Sequence, residues 1–131
     1  MISTKGRYAL RVMLDIAAQE PDRFIPLHDI AQREDISEKY LEIIIRSLVK
    51  NKLVKAHRGK GGGYMLSRPA GEYTVGEILD VTEETMAPVA CLVPDAEKCP
   101  RKEKCKTIQL WEGYDRLTRD YFAGIRLADL L

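Results

Sequence analysis

Residues 59–63 read Gly-Lys-Gly-Gly-Gly, four glycines in five positions. Glycine admits the left-handed conformations that tight turns need, so this run reads as a turn and limits what can flank it. Leu53 to Arg58 and Tyr64 to Ser67 have strand length on either side. Two short strands about a Gly-rich turn predict a β-hairpin. The run is not a phosphate-binding loop of the GxxxxGK[ST] type, because Lys60 is followed by Gly61 with no Ser or Thr beside it.

Helices are predicted ahead of the hairpin. From Thr4 to Glu20, the residues Tyr8, Ala9, Val12, Met13, Ile16 and Ala17 recur at helical spacing on one face. Ser3 or Thr4 can cap this helix, and Pro21 follows its end. Pro26 to Glu34 predicts a short second helix with Leu27, Ile30 and Ala31 inward, and Asp35 and Ile36 make a tight connection. Ser37 is a good N-cap for a third helix ending near Asn51. Its buried stripe is Leu41, Ile44, Ile45 and Leu48, and its other face carries Glu38, Lys39, Glu42, Ile43, Arg46 and Lys50.

After the hairpin, Thr74-Val75-Gly76-Glu77 fits a capping box, with a helix to about Glu84. Ala87 to Lys104 is irregular and contains Pro88, Pro94 and Pro100. Thr107 to Gly124 predicts a long helix, with Ile108, Trp111, Tyr114, Leu117, Tyr121, Phe122 and Ile125 along one side. Leu127, Leu130 and Leu131 follow as an apolar tail. The expected fold is mainly α with a small β-hairpin wing: a winged helix-turn-helix (1–68), then a linker helix, a cysteine loop and a long C-terminal helix (69–131), in one compact chain.

The net charge of +1 comes from 21 basic and 20 acidic residues and speaks against a nucleic-acid binder only as a sum. Residues 1–68 hold 13 basic and 8 acidic side chains, and residues 69–131 hold 8 and 12. From Arg46 to Arg68 there are seven basic residues and no acidic one. Such asymmetry is a mark of nucleic-acid or membrane contact. No apolar run is long enough for a transmembrane helix. Arg11 and Asp15 interrupt any apolar stretch near the start, so no signal peptide is expected there and the expected compartment is the cytosol.

Helix, short helix, tight turn, capped helix and basic hairpin together match how a winged helix-turn-helix reads DNA. A helix fits the major groove and offers its N-terminal side chains to base edges. Here these are Ser37, Glu38, Lys39, Tyr40, Glu42 and Ile43. Glu42 can accept from a cytosine amino group, and Arg46 is placed for a phosphate or a base. Arg58 and Lys60 sit among glycines at a narrow tip, which suits the minor groove. Charge on one helix face is more often merely solvated, and a lone Gly-rich turn is usually only a hairpin. The order of the elements and the unbroken basic stretch favour DNA contact.

Ser3-Thr4-Lys5-Gly6-Arg7-Tyr8-Ala9-Leu10, Ile36-Ser37 with Tyr40-Leu41-Glu42, and Arg58-Gly59-Lys60-Gly61-Gly62-Gly63-Tyr64 carry a resemblance to the Rrf family of bacterial regulators. It covers essentially the whole chain. The resemblance implies a homodimer joined by the long C-terminal helix and binding to palindromic double-stranded DNA operators. In IscR-like members the residues matching Glu42 and Arg58 take part in base and minor-groove readout. A Gln often follows that Glu; here Ile43 offers only apolar contact, so a different operator is expected. The candidate DNA contacts are Thr4, Lys5, Ser37, Glu38, Lys39, Tyr40, Glu42, Ile43, Arg46, Arg58, Gly59 and Lys60.

Cys91, Cys99 and Cys105 are separated by seven and five residues and surrounded by Lys98, Arg101, Lys102, Lys104 and Lys106. Thiolates favour iron–sulfur clusters and zinc, and nearby cations lower a thiol pKa. The bland alternative is three unliganded surface cysteines. The resemblance implies an iron–sulfur cluster (2Fe-2S or 4Fe-4S), with a spacing closer to RirA-like than to IscR-like members. The His that IscR-like proteins place three residues after the last Cys is Ile108 here. The first-helix Asp of NsrR-like proteins corresponds to about Arg7. A carboxylate such as Glu103, a small molecule or an open site remains for the fourth position. His28 and His57 read as surface or interface residues.

Trp111, Tyr114, Leu117, Tyr121 and Phe122 exceed what a small chain buries easily and are the candidate dimer contacts, although packing on the chain's own winged helix is the plainer possibility. The chain is expected to be a DNA-binding transcriptional regulator sensing iron–sulfur, iron or redox status. The alternative is a cluster-free regulator of the same fold controlled by thiol oxidation or a partner protein. An enzyme is not expected: there is no catalytic His–carboxylate arrangement and no CxxC pair.

Overall fold

The computed structural model describes residues 1–131. Helix α1 (Thr4–Ala17) begins at Ser3, whose hydroxyl accepts from the Gly6 N–H at 3.1 Å. Ser3, not Thr4, is therefore the cap. The helix stops short of the expected Glu20. Pro21 disfavours helical backbone just before it, and the last turn closes with the Ala18 N–H on the Leu14 carbonyl and the Gln19 N–H on the Ile16 carbonyl.

Helix α2 (Leu27–Glu34) ends at Asp35, whose left-handed φ of 52° turns the chain into α3 (Glu38–Lys50). Ser37 caps α3 by accepting from the Tyr40 N–H at 3.2 Å. The end of α3 closes through two reverse bonds, Lys52 N–H to the Val49 carbonyl at 3.0 Å and Leu53 N–H to the Leu48 carbonyl at 2.9 Å. Lys52 takes the left-handed position between them, with φ 61°. This paired pattern satisfies orphan carbonyls and aims the chain into the wing.

The wing pairs β1 (Val54–His57) with β2 (Gly63–Leu66), antiparallel, from Val54 opposite Leu66 to His57 opposite Gly63. The sequence reading did not include a third partner. Ile25, just ahead of α2, exchanges both backbone bonds with Tyr64 at 2.7 and 2.8 Å. Gly63 permits this approach: its φ is 150°, and a Cβ there would stand 2.3 Å from the Ile25 carbonyl oxygen.

The core gathers the inward stripes of α1, α2 and α3 with Ile25, Leu53, Val54, Tyr73 and Ile78. Tyr73 is fully buried and satisfied, donating to the Leu53 carbonyl at 2.6 Å and accepting from the Arg68 N–H at 3.0 Å. The buried Asp15 carboxylate takes two bonds from the Arg33 guanidinium, at 2.8 and 2.9 Å.

Helix α4 (Val75–Thr82) packs on α1 and α3 and ends before the expected Glu84. Its capping box is only half formed. Thr74 accepts from the Glu77 N–H at 3.1 Å, but the Glu77 carboxylate pairs with Arg68 instead of returning to the cap. Helix α5 (Ile108–Ala123) packs on α4, and Ile125 lies beyond its end, giving its carbonyl to the Val75 N–H at 2.9 Å. Leu127 is not part of an apolar tail. It is fully buried, its N–H bonded to the Tyr73 carbonyl at 3.0 Å, while Leu130 and Leu131 remain exposed. No helix is long and apolar enough to cross a membrane.

Candidate nucleic-acid interface and cysteine loop

The stripe that buries Leu41, Ile44, Ile45 and Leu48 leaves Lys39, Glu42, Ile43 and Arg46 of α3 facing out. A groove runs between this face and the wing, lined by Glu42, Arg46 and Lys50 on one side and His57, Arg58 and Gly59 on the other. Lys60 stands at the exposed tip, and Gly59 takes φ 93° to form the turn. Arg46, Lys50, Arg58 and Lys60 enter none of the five ion pairs in the chain. Their charge is therefore available to phosphates, the main source of affinity for DNA.

Three candidates on α3 are already engaged. Glu38 bonds His28 Nδ1 at 2.7 Å, so α2 holds its carboxylate. Tyr40 is half-buried with its ring edge-on to Tyr8, centroids 5.9 Å apart. The Ser37 hydroxyl accepts from the helix it caps. The exposed candidates on α3 with no side-chain partner are therefore Lys39, Glu42, Ile43 and Arg46.

Thr4 and Lys5 lie in the first turn of α1, where unsatisfied N–H groups make a local positive end suited to phosphate. Tyr8, one turn on, touches Tyr40, which sets this helix start beside that of α3. Glu83, a residue the sequence reading missed, anchors it. One Glu83 oxygen accepts from both the N–H and the hydroxyl of Ser3, each at 2.9 Å. A Cβ on Gly6 would stand 2.1 Å from that oxygen, so the glycine makes room for it. A glycine inside a helix was the one sequence sign of this contact. A second missed feature is Phe24, whose ring lies 5.2 Å from that of His57 on the wing.

The segment between α4 and α5 carries two short 3-10 turns, Ala90–Leu92 and Lys102–Lys104. The cysteines are free thiols, and all three line a single cavity of about 150 Å³. Ile108, Glu97 and Glu112 line it too, with Lys98 and Lys102. Glu103, the carboxylate named from the sequence, does not; its place on the Lys102–Lys104 turn lies outside the lining. His28 and His57 lie on α2 and the wing. No three Cys, His, Asp or Glu groups close on one point in this conformation.

Three soft sulfur donors and two carboxylates around one cavity match the donor chemistry of an iron–sulfur cluster. The Cys105 thiol is held below the ordinary thiol range, chiefly by its contact with the Thr107 hydroxyl at 3.5 Å. The Thr107 and Ile108 backbone at the start of α5 and the Arg101 charge act in the same direction, against the effect of desolvation.

Along α5, Leu110, Trp111, Tyr114, Leu117 and Tyr121 are exposed, Leu117 at 69%. Phe122 differs from the other dimer candidates. It is half-buried, its Cβ close to Gly76 of α4, and its ring meets that of Tyr121 with centroids 5.5 Å apart.

A capped helix presented beside a basic hairpin, on a core of three helices, defines the class: a winged-helix DNA-binding regulator. Residues 2–131 match the Rrf2 family, described as an iron-dependent transcriptional regulator. The chain is 39% identical over 131 residues to the HTH-type transcriptional regulator IscR of Cronobacter sakazakii, covering 99% of this chain and 79% of that one. Among solved structures it is similar to CymR, the global cysteine regulator of B. subtilis, with TM-score 0.79 and 33% identity over 99% of this chain and 95% of that one. It is also similar to T. potens IscR, with TM-score 0.76 and 32% identity over 99% and 85% of the two chains. The chain belongs to the Rrf2 family and is a DNA-binding transcriptional regulator; its relatives are regulators, not enzymes.

Proposed function

We propose that this regulator is a homodimer that reads a palindromic operator through α3 and the wing, and that Cys91, Cys99 and Cys105 hold an iron–sulfur cluster that sets its affinity for DNA. The carrying observation is that all three cysteines line one cavity at the start of α5. The family match and the IscR relatives support the same reading. When bound, the cluster supplies a group that responds to iron supply and oxidants. The chain supplies the rest. Residues 1–68 carry the DNA-reading surface, and residues 69–131 carry the sensing loop and dimer helix.

The sensing loop begins at Glu83, directly after α4, and Glu83 holds the capped start of α1. Ordering or releasing the loop acts on that anchor at one end and on α5 at the other. Both bear on how the recognition helices of a dimer are spaced. Such a coupling needs an element with two arrangements whose balance the ligand shifts. The loop, held by short turns rather than by long helices, is that element.

A second reading rests on Cys105. Its depressed thiol pKa, beside an exposed Cys91, favours direct control by thiol oxidation without a cluster. Purification without oxygen, followed by visible absorption and by iron and sulfide assays, separates the two. The cluster reading expects a coloured protein with matched iron and sulfide. A colourless protein that takes up neither on reconstitution leaves a cluster-free regulator, controlled by thiol oxidation or by a partner protein.

A further inference from the structure

We infer that Glu112 supplies the fourth protein ligand to the cluster held by Cys91, Cys99 and Cys105. This rests on the cluster reading above and names the part of the site that the cysteines cannot complete. Clusters of two or four irons take four protein ligands as a rule, and this chain has three cysteines. Neither histidine lies at the cavity. Among the other side chains lining it, the anionic donors are the carboxylates of Glu97 and Glu112.

Ile108 and Glu112 are four residues apart on α5, so they occupy one face on successive turns. Both line the cavity with the three cysteines. Ile108 has no donor atom, which leaves the next turn of the same face to provide one. The Glu112 carboxylate makes no ion pair or side-chain hydrogen bond elsewhere in the chain, although Lys98 and Lys102 line the same cavity. Glu97 also lines the cavity, but from the irregular segment between Cys91 and Cys99. A donor fixed on a helix is placed more closely than one on a loop. An anionic oxygen in the place of a fourth thiolate preserves the ligand charge and binds iron less softly. The result is a cluster with one weakly held corner, on the helix that carries the exposed apolar face.

The test uses the full chain, reconstituted without oxygen with ⁵⁷Fe and sulfide. Wild type is compared with Glu112→Ala, Glu112→Cys, Glu97→Ala and Glu103→Ala. Iron release to a chelator and the Mössbauer spectrum are measured, and circular dichroism checks the helices. Alanine is a strong helix former, so Glu112→Ala should retain α5. The expected result is a distinct oxygen-ligated iron signal in wild type that shifts in Glu112→Ala, where solvent takes the vacated position. Iron release should be about tenfold or more faster in that variant. Glu112→Cys should restore slow release with a shifted visible spectrum, and Glu103→Ala should match wild type. Wild-type release and an unchanged spectrum in Glu112→Ala would overturn the assignment, as would the same losses appearing in Glu97→Ala instead. A wild type that holds neither iron nor sulfide overturns the cluster reading itself and the assignment with it.

Discussion

Arg58 stands at the mouth of the wing turn, exposed, with no acidic partner, on the groove that faces Glu42 and Arg46. Replacing it with alanine removes an unpaired charge on the groove and no ion pair or side-chain hydrogen bond of the chain. Arg58→Ala should weaken operator binding by about 1–3 kcal/mol and flatten the salt dependence by about one unit of log–log slope. Titrations at several salt concentrations check this; an unchanged affinity and slope would remove the wing tip from the interface. Cys105 offers a second test at this scale, on the cluster-free protein. Its thiolate is the reactive form, and its depressed pKa keeps thiolate present at lower pH than an ordinary thiol allows. Alkylation of Cys105 should slow as pH falls through that depressed value. Thr107→Val, which deletes the main cause of the shift, should slow it several-fold at neutral pH. Mass spectrometry of the labelled peptide reads both.

What the sequence disclosed at this scale followed from local chemistry. Ser37 beside an amphipathic run announces a cap, and the glycine run announces a turn. That Gly63 in particular is required depends on the Ile25 carbonyl, which reaches it from the far end of the helix-turn-helix. The cysteines were legible as a set, and their common cavity was not, because a loop's path is not encoded by periodicity. Glu103 lies on the Lys102–Lys104 turn outside the cavity lining, whereas Glu112 of α5 is part of it.

Among the elements, the five helices and the hairpin were legible because each carries its own period, cap or breaker. The connections between them were not. Ser3 and Glu83 lie 80 residues apart, and their contact joins the start of α1 to the first residue of the cysteine-bearing segment. The return of the chain after α5, which buries Leu127 against Tyr73, is likewise a long-range pairing that looked like a loose tail. Glu83→Ala removes the acceptor for two charge-assisted bonds while Ser3 keeps its capping bond to Gly6. It should destabilise the chain by about 2 kcal/mol. It should also weaken operator binding, because Thr4 and Lys5 lose a fixed position. Urea unfolding and DNA titration measure the two effects. A stability loss with unaltered DNA binding would confine Glu83 to a structural role.

For the whole molecule, the near-neutral charge conceals two unlike surfaces. The basic stretch from Arg46 to Arg68 gathers about the groove and wing. The helix α5 shows a run of large apolar side chains that its own chain leaves exposed. Leu117→Asp alters no buried contact within the chain and should convert a dimer to a monomer in sedimentation experiments. Each half-site is then bound alone, and operator affinity should fall by about 100-fold or more. In a dimer, two α3 helices must meet half-sites about 34 Å apart, or a multiple of it. In the proposed dimer, a change at the cysteine cavity that alters the angle of α5 acts on DNA affinity without touching the groove.

The most direct measurement is the affinity of the protein for its own operator, taken as the duplex it selects from a random pool. Wild type with its cluster, wild type stripped of it, and the variant with Cys91, Cys99 and Cys105 all changed to alanine are compared without oxygen at one fixed salt concentration. A cluster-gated regulator gives different affinities for the two wild-type states, and the triple variant binds like the stripped form. Equal affinity in all three would contradict the proposed role of the cysteine cavity in controlling DNA binding.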